Sequence, residues 1–377
     1  MKNVKEYISK NSAELYKLLY DLCQIPAPSG KEDMRAEFCR EWFLKNGMEG
    51  AYIDGAKNVI LPYQVKDGKK LTVFAAHIDT VFPDLEPMPY VDDGEYIHCP
   101  GVGDDTASVA VLMLVAKYFV ENGVMTDGVL FVCNSCEEGL GNLKGTRQIF
   151  RDFEGRVENF VSLDSTKHTH GVDECVGSHR YEVTVTTRGG HSFMEFGNEN
   201  AIAELSKIIN EIYSIALPEK AGKKVTYNVG IISGGTSVNT IAQSAKMLCE
   251  YRSDDKDLLA YMKAQFERIF AAARTDKVGV SVELVGDRPC ASDVAPEKME
   301  RLKSIHGAVV REVINEQPVY ESGSTDCNIP LSLGIPAVTV GVYNGDGVHT
   351  RKEKLEKKSL IPGLEIGLKL ALNLTEI

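Results

Sequence analysis

Residues 128–138 have the sequence Gly128-Val-Leu-Phe-Val-Cys-Asn-Ser-Cys-Glu-Glu138. The apolar part, residues 128–133, is too short for a typical helix and is followed by polar residues, which predicts a buried β-strand. Two adjacent carboxylates at the end of such a strand repel each other and resist removal from water, so they need a cation, a proton or solvent. We consider a cation first, because other predicted strands also end in residues that bind metals.

The sequence on either side of this strand alternates between strand and helix patterns. Leucines at helical spacing predict a first helix that stops before Pro26 and Pro28. The further predicted strands cover residues 71–77, 160–163 and 337–342, and the further predicted helices cover residues 106–120, 298–313 and 363–372. Apolar strands that alternate with helices are typical of an α/β fold, in which helices cover both faces of a mostly parallel sheet.

Residues 178–287 have a different pattern. The predicted elements, in order, are a strand at 181–187, a helix at 200–215, strands at 225–232 and 245–251, a helix at 256–273 and a strand at 278–285. This β-α-β-β-α-β order is that of a ferredoxin-like α+β unit, and Asn200 is a suitable first residue for its first helix. The sequence therefore predicts an inserted domain at 178–287 and a discontinuous domain made of residues 1–177 and 288–377.

Composition restricts the possible functions. The chain has 377 residues, of which 43% are hydrophobic and 25% charged, as in ordinary globular proteins, and its net charge of -12 argues against nucleic acid as a partner. The N-terminus has no apolar signal core and no stretch is apolar enough to span a membrane, so we expect a cytoplasmic protein. Nine cysteines without a regular framework of spacings predict reduced thiols rather than disulfides.

Residues that bind metals recur where predicted strands end or helices begin. They are His77 and Asp79, Asp104, Glu137 and Glu138, Asp164 and His349. Each has an ordinary alternative, such as a helix cap for Asp104, a turn for Asp164 or a surface loop for His349. Together, at the carboxyl ends of strands in an α/β sheet, they predict a metal site, since such sites collect at that edge. Histidine with carboxylate suits zinc, or Mn²⁺ or Co²⁺ as substitutes, and the number of ligands favours two ions that share an aspartate.

These motifs resemble those of the M20 family of co-catalytic zinc metallopeptidases, and the resemblance covers nearly the whole chain. The residues that carry it in the outer domain are His77-Ile-Asp-Thr80, Gly103-Asp-Asp105, Glu137-Glu-Gly139 and Gly323-Ser-Thr-Asp326. Those in the inserted domain are Gly189-Gly-His-Ser192, Asn198-Glu-Asn-Ala-Ile202 and the segment from Ser233 to Ile241. Within the family the chain looks most like the tripeptidase T and glutamate carboxypeptidase branches.

The resemblance implies a role for each matching position. His77, Asp104 and Asp164 would bind one Zn²⁺, and Asp104, Glu138 and His349 the other. Glu137 would be the general base, Asp79 would orient His77, and the bond between Asp104 and Asp105 would be cis. The implied substrate-binding residues are His191, Asn239, Arg252, Gly323, Ser324 and Thr325.

The implied reaction is hydrolysis of an amide bond in a small peptide, by a water that bridges two zinc ions and is activated by Glu137. The alternative within the family is removal of the acyl group from an N-acyl amino acid. The inserted domain would act as a lid and would form a homodimer, in which His191 reaches the neighbouring subunit. From the residues alone, Arg252 is as able to pair with Asp254 or Asp255 as to bind a substrate carboxylate. The bulky residues 192–196 either line a specificity pocket or pack within the inserted domain, and packing is slightly favoured.

Other functions are less well supported by the sequence. Cys133 and Cys136 form a C-x-x-C pair, but they lie at a strand end rather than at the start of a clear helix, so inert thiols are favoured over redox chemistry. His168 and His170 are two residues apart and are a possible second metal pair. A protein that retains metal without turnover has no need of a free base such as Glu137.

Overall fold

The computed structural model describes residues 4–377. Its helices, in chain order, are α1 Val4–Cys23, α2 Asp33–Lys45, α3 Ser108–Asn122, α4 Lys144–Asp152, α5 Ala201–Tyr213, α6 Lys256–Ala272, α7 Pro296–Ile314, α8 Asn328–Ser332 and α9 Leu360–Thr375. None of the helices described in this range combines the length and the apolar character needed to cross a bilayer.

The strands, in chain order, are β1 Tyr52–Ile53, β2 Val59–Tyr63, β3 Leu71–His77, β4 Val91–Asp92, β5 Tyr96–His98, β6 Val129–Asn134, β7 Val157–Ser162, β8 His170–Cys175, β9 Gly177–Thr186, β10 Gly190–His191, β11 Val225–Gly234, β12 Thr240–Ile241, β13 Ser244–Ser253, β14 Gly279–Arg288, β15 Val319–Gly323, β16 Ala337–Val340, β17 Gly345–Asp346 and β18 Lys354–Glu356. Eight strands, β3, β6, β7, β9, β11, β13, β14 and β16, fall at or near the predicted positions, and the other strands described were not predicted.

The chain divides into two compact units. The first contains the described residues up to Cys175 together with Ser292–Ile377, and the second is Val176–Ala291. The sequence predicts the same division with the inserted segment at 178–287, so the two boundaries differ by only a few residues.

The first unit is built on a sheet with the strand order β1-β2-β6-β3-β7-β16-β8-β15. The four central strands, β6, β3, β7 and β16, are parallel to one another. Every residue of β3 and β6 is buried, as expected for strands that helices cover on both faces. This confirms the predicted α/β class, and the antiparallel neighbours β2 and β8 make the sheet mixed rather than wholly parallel.

The helix α3 is apolar and buried around most of its circumference, which is typical of a core helix. It begins at Ser108 rather than at the predicted residue 106, because residues 102–107 form an irregular turn in which Asp104 and Asp105 have non-helical backbone angles. This turn lies close to the end of β3, so the topology places it at the edge of the sheet where the central parallel strands end.

The second unit has an antiparallel sheet with the order β11-β13-β9-β14 and the helices α5 and α6. The predicted β-α-β-β-α-β order is confirmed, with the short strands β10 and β12 in addition. Asn200 caps α5 as predicted, since its side chain accepts hydrogen bonds from the backbone N–H groups of Ile202 and Ala203. Aromatic residues, among them Tyr251 and Phe266, fill the core of this unit.

Candidate metal centre

Three of the predicted metal ligands meet beside the end of β3. His77 is the last residue of this strand and is buried, with its ring nitrogen Nε2 at 3.0 Å from Asp104 Oδ1. The same nitrogen lies 3.9 Å from Asp164 Oδ1, and Asp164 follows the neighbouring strand β7. The ligand atoms of these three residues all lie within 4.8 Å of one another.

A second group contains the same aspartate. The Nε2 atom of His349 lies 3.0 Å from Asp104 Oδ2 and 3.0 Å from Glu138 Oε1. The two oxygens of Asp104 therefore face different histidines, Oδ1 towards His77 and Oδ2 towards His349. This is the arrangement of a carboxylate that can be shared by two cations.

The donor atoms fit two divalent ions. Imidazole nitrogens and carboxylate oxygens are the ligands that zinc takes together in proteins, at about 2.0–2.2 Å. Two such ligands on one tetrahedral ion stand roughly 3–3.5 Å apart. The separations from Asp104 to His77 and to His349, 3.0 Å each, match this spacing, so the side chains need little movement to bind.

The pKa values describe a cluster that attracts positive charge. Burial opposes protonation of His77, but hydrogen bonds to Asp104 and Asp79 outweigh it and hold its pKa well above the ordinary value. Hydrogen bonds to Asp104 and Glu138 raise the pKa of His349 to about 10. Burial, followed by neighbouring carboxylates, raises the pKa of Asp164 well above the usual range. Bound cations would satisfy the same demand for positive charge without protons.

Asp79 contacts both His77 and the backbones of the two glutamates. The Nδ1 atom of His77 lies 3.0 Å from the backbone oxygen of Asp79 and 3.5 Å from its carboxylate. The carboxylate itself accepts hydrogen bonds from the backbone N–H groups of Glu137 and Glu138, at 2.9 Å each, and from the Ser29 hydroxyl at 2.6 Å. Asp79 thus contacts His77 through its main chain and its carboxylate, and the same carboxylate holds the backbones of the two glutamates.

The two glutamates begin a loop directly beyond β6. Both are buried, and ligand atoms of Glu137 and Glu138 lie within 4.8 Å of a ring nitrogen of His77. Glu138 also approaches His349, as described above, while Glu137 is not part of the Asp104–Glu138–His349 group. The loop therefore presents one carboxylate to each side of the cluster.

The turn that carries Asp104 is closely packed. The peptide bond between Asp104 and Asp105 is cis, as the resemblance implies. A Cβ atom added to Gly103 would lie 2.8 Å from the ring of Tyr343, and one added to Gly101 would lie 2.8 Å from the Thr80 methyl group. Gly101 also has a φ of 75°, a conformation that glycine adopts without strain. These contacts explain why the turn contains glycine at both positions.

Two further residues contact the elements that carry the cluster, and the sequence analysis assigns a role to neither of them. The buried Arg35 donates to the backbone oxygen of Ile78 at 2.9 Å, between His77 and Asp79, and to the Thr106 hydroxyl at 3.3 Å. It links the end of β3 to the turn that carries Asp104. Arginine is rarely fully buried without a partner, so the burial of Arg35 indicates a supporting role. This burial is visible only in the structure.

The second support is Asp326, which follows the predicted substrate loop. Its carboxylate accepts a hydrogen bond from Asn134 at 2.5 Å and another from Thr146. Asn134 is the last residue of β6 and Thr146 lies in α4, so the two residues flank the loop that carries Glu137 and Glu138. Asp326 therefore connects both ends of this loop to the segment 323–325. Within this segment Thr325 is buried, and its hydroxyl lies 2.9 Å from that of Thr339.

The predicted substrate residues of the second unit fall into two places. His191 in β10 pairs with β12, and the backbone N–H of Ser192 donates to the backbone oxygen of Asn239, so His191 and Asn239 are neighbours. Arg252 lies on β13 and pairs with Glu250, through contacts of 2.8 and 3.0 Å. This partner differs from Asp254 and Asp255, which the sequence analysis considers as alternatives to a substrate carboxylate.

The packing favoured for residues 192–196 is wrong. Phe193, Met194 and Phe196 are 83%, 77% and 90% exposed, so their side chains do not enter the core of the second unit. The backbone of the segment is held instead by polar contacts, since the N–H groups of Phe193 and Met194 each lie 3.3 Å from His191 Nδ1.

The competing motifs do not form sites. All nine cysteines are buried and free of disulfides. Burial, with the charge of Glu32, raises the pKa of Cys136 to about 12, which disfavours a reactive thiolate. Among the residues in the described range, neither His168 nor His170 belongs to a group of metal-binding side chains, and His170 pairs with Glu321 at 3.3 Å.

Comparison with known proteins shows the family of the chain. The model of the family described as Peptidase family M20/M25/M40 matches residues 73–373. Carboxypeptidase G2 from Pseudomonas sp. (strain RS-16) is 26% identical over 341 residues, which cover 87% of this chain and 79% of that protein. The putative succinyl-diaminopimelate desuccinylase DapE of Mycobacterium tuberculosis (strain CDC 1551 / Oshkosh) is 24% identical over 352 residues, covering 92% of this chain and 94% of that protein.

A solved structure shares the fold. Aminopeptidase PepT from Bacillus cereus ATCC 10987 superposes with a TM-score of 0.71 at 20% identity, over 94% of this chain and 96% of that one. The family match at residues 73–373 contains all the clustered ligands, from His77 to His349, as well as the inserted unit. The chain therefore belongs to the Peptidase family M20/M25/M40 and is one of its metal-dependent hydrolases.

Proposed function

We propose that the protein is an exopeptidase that hydrolyses an amide bond in small peptides, with Glu137 as the general base. The observation that carries the proposal is the position of Asp104, whose two oxygens each lie 3.0 Å from a different histidine. In this assignment His77, Asp104 and Asp164 hold one ion, and Asp104, Glu138 and His349 hold the other. We propose zinc as the metal, with Co²⁺ or Mn²⁺ as substitutes, because the ligands are imidazole and carboxylate.

When bound, the pair of ions supplies Lewis-acid chemistry, which polarises the scissile carbonyl and lowers the pKa of a water to about 7. Glu137 accepts a proton from the attacking water as the carbon–oxygen bond forms. It then donates this proton to the nitrogen of the leaving amine as the carbon–nitrogen bond breaks. The hydrogen bond from the Glu137 backbone N–H to Asp79, at 2.9 Å, fixes the start of the loop from which the carboxylate acts.

The remaining side chains recognise the substrate. His191 donates a hydrogen bond to the carbonyl oxygen as it gains negative charge, and Asn239 binds the same part of the substrate. Arg252 binds a substrate carboxylate, for which it exchanges the carboxylate of Glu250, its present partner. Gly323, Ser324 and Thr325 line the pocket, held in place through Asp326 and Thr339.

We further propose a cytoplasmic homodimer that forms through the inserted unit. The strand β11 is at the edge of its sheet, and Ile231 and Ile232 on it are 58% and 54% exposed. An exposed apolar edge strand is a site at which another strand can pair. Pairing with a second copy of β11 satisfies the free backbone hydrogen-bonding groups of both copies and covers their apolar side chains.

A second candidate function is deacylation of an N-acyl amino acid. It is favoured by the similarity to the putative desuccinylase, which is of the same order as the similarity to carboxypeptidase G2. The attack on the amide is the same in both reactions, and only the recognised group differs.

Product analysis on dipeptides, tripeptides and N-acyl amino acids tests both functions. We expect hydrolysis of short peptides, its loss on treatment with a chelator and its recovery with zinc. Glu137→Gln should lower kcat by about 10²–10⁴-fold while both ions remain bound. The exposed Glu154 provides the matched control, since Glu154→Gln should leave kcat unchanged. Hydrolysis that resists the chelator, or a near-normal rate in Glu137→Gln, would contradict the proposal.

A further inference from the structure

Glu353 is a buried carboxylate that binds the turn carrying Asp104. Its side chain accepts hydrogen bonds from three backbone N–H groups, those of Gly101 at 2.7 Å, Gly103 at 2.9 Å and Asp104 at 3.0 Å. Glu353 is only 1% exposed, so water does not replace these bonds. Three backbone donors therefore converge on this one side chain.

The turn depends on this acceptor because it has no regular secondary structure. Asp104 and Asp105 have non-helical backbone angles, and the residues form neither a strand nor a standard helix. Buried backbone N–H groups must find partners, and in a helix or a sheet the ladder supplies them. At Gly101, Gly103 and Asp104 a side chain from a distant part of the sequence supplies them instead.

Glu353 also belongs to the loop that carries His349. The backbone between them is closed by two hydrogen bonds, from Thr350 N to Gly347 O at 3.1 Å and from Glu353 N to Thr350 O at 3.2 Å. Directly after Glu353, β18 pairs with β5, with Lys354 opposite His98. This register places Glu353 beside the segment that leads from β5 into the turn, and so it connects the backbones that carry Asp104 and His349.

We propose that Glu353 is a positioning residue of the metal centre, which holds the Asp104 turn so that the two carboxylate oxygens face His77 and His349. The inference rests on the proposed role of Asp104 as the ligand shared by both ions. Within the described residues, Glu353 is not a member of any group of metal-binding side chains, and its hydrogen bonds go to the backbone of the turn. It acts through the main chain of Asp104.

Glutamine at this position separates hydrogen bonding from shape. In Glu353→Gln one oxygen still accepts hydrogen bonds, but the amide NH₂ replaces the other and faces an N–H group of the turn. Two donors, the amide NH₂ and the backbone N–H, then face each other without an acceptor, so the turn shifts away from the amide. Loss of a residue that orients a metal ligand typically lowers metal affinity by about 10–100-fold.

The experiment compares Glu353→Gln with Glu356→Gln, a matched change in the same segment that touches Asn344 and Lys358 rather than the turn. Zinc affinity is measured by competition with a chromophoric chelator, and the geometry of the site by the visible absorption of bound Co²⁺. We expect a 10–100-fold loss of affinity and an altered Co²⁺ spectrum in Glu353→Gln alone. Wild-type affinity and spectrum in Glu353→Gln, or equal losses in both variants, would overturn the proposal.

Folding is monitored separately, by urea unfolding of the protein in chelator. Glu353→Asp serves as a second variant, because it keeps the charge but shortens the side chain, and we expect it to bind zinc with an affinity between those of wild type and Glu353→Gln. If neither variant folds, Glu353 serves the fold rather than the metal centre and the proposal is rejected. A wild-type protein that binds two ions but hydrolyses no amide would refute the proposed function and leave the role of Glu353 intact.

Discussion

Replacing Asp79 by asparagine tests how the centre holds its glutamates. Each carboxylate oxygen of Asp79 accepts one backbone N–H, Oδ1 from Glu137 and Oδ2 from Glu138, both at 2.9 Å. In Asp79→Asn one of these oxygens becomes an NH₂ group, so one of the two buried N–H groups loses its acceptor. Asparagine is nearly the same size, and the change therefore isolates this hydrogen bond and the charge.

The expected magnitude follows from the number of bonds lost. One buried donor without a partner costs about 1–3 kcal/mol. Since a factor of ten corresponds to about 1.4 kcal/mol, the loss in kcat/KM should be on the order of 10–100-fold. The hydrogen bond that His77 Nδ1 donates to the backbone oxygen of Asp79 does not involve the Asp79 side chain, so this bond should persist in the variant.

The assay is steady-state hydrolysis of a short peptide at saturating zinc, with bound metal measured on the same samples. Asp93→Asn is the control, because the Asp93 carboxylate also accepts two backbone N–H groups, at 2.9 and 2.7 Å, in an exposed turn away from the cluster. A wild-type kcat/KM in Asp79→Asn at full metal occupancy would refute the reasoning. So would a loss of the same size in Asp93→Asn.

Two further changes have defined outcomes. Gly103→Ala places a methyl group 2.8 Å from the ring of Tyr343, which should displace Asp104 and lower zinc affinity at least about tenfold. In the control Gly55→Ala the methyl group meets no atom within 4 Å, so zinc affinity should stay at the wild-type value. Equal affinities of the two variants in chelator competition would contradict this prediction. Burial lowers the pKa of His306 to about 4, whereas the value in an unfolded chain is about 6.5. Between these two pH values the unfolded state binds a proton on His306 that the folded state does not, so the free energy of unfolding falls as the pH drops from 6.5 to 4. His306→Gln should remove about 3 kcal/mol of this pH dependence in urea unfolding of the chelated protein, and an unchanged slope would argue against it.

The cluster of ligands was predictable because of a general property of parallel sheets. The strands β3, β6 and β7 are parallel neighbours, so the residues that follow them meet at one edge. Local sequence patterns identify such strands, since they are short, apolar and followed by polar residues. His77, Glu138 and Asp164 could therefore be placed together without knowledge of any distance.

The orientation of side chains at that edge could not be predicted in the same way. Residues two apart on a strand share a face, which predicts that Asp79 lies beside His77. The strand ends at His77, and beyond it the backbone turns, which brings the Asp79 carbonyl to the histidine and its carboxylate to the glutamate loop. The rule fails where the regular structure ends.

The contacts of Arg252 and Glu353 illustrate two other limits. Arg252 pairs with Glu250, two residues before it on β13, and the alternation of a strand would have indicated this partner. Glu353 binds a turn that is about 250 residues earlier in the sequence, and no local pattern connects the two. Supporting residues of this kind become visible only when the tertiary structure is known.

The discontinuous first unit has a consequence for biosynthesis. The strand β16, from the second segment, lies between β7 and β8 of the first, and His349 follows it in the chain. A nascent polypeptide that has emerged only as far as the inserted unit lacks both a central strand and a histidine of the cluster. The cluster of candidate ligands can therefore assemble only after residue 349 has been synthesised and has left the ribosome.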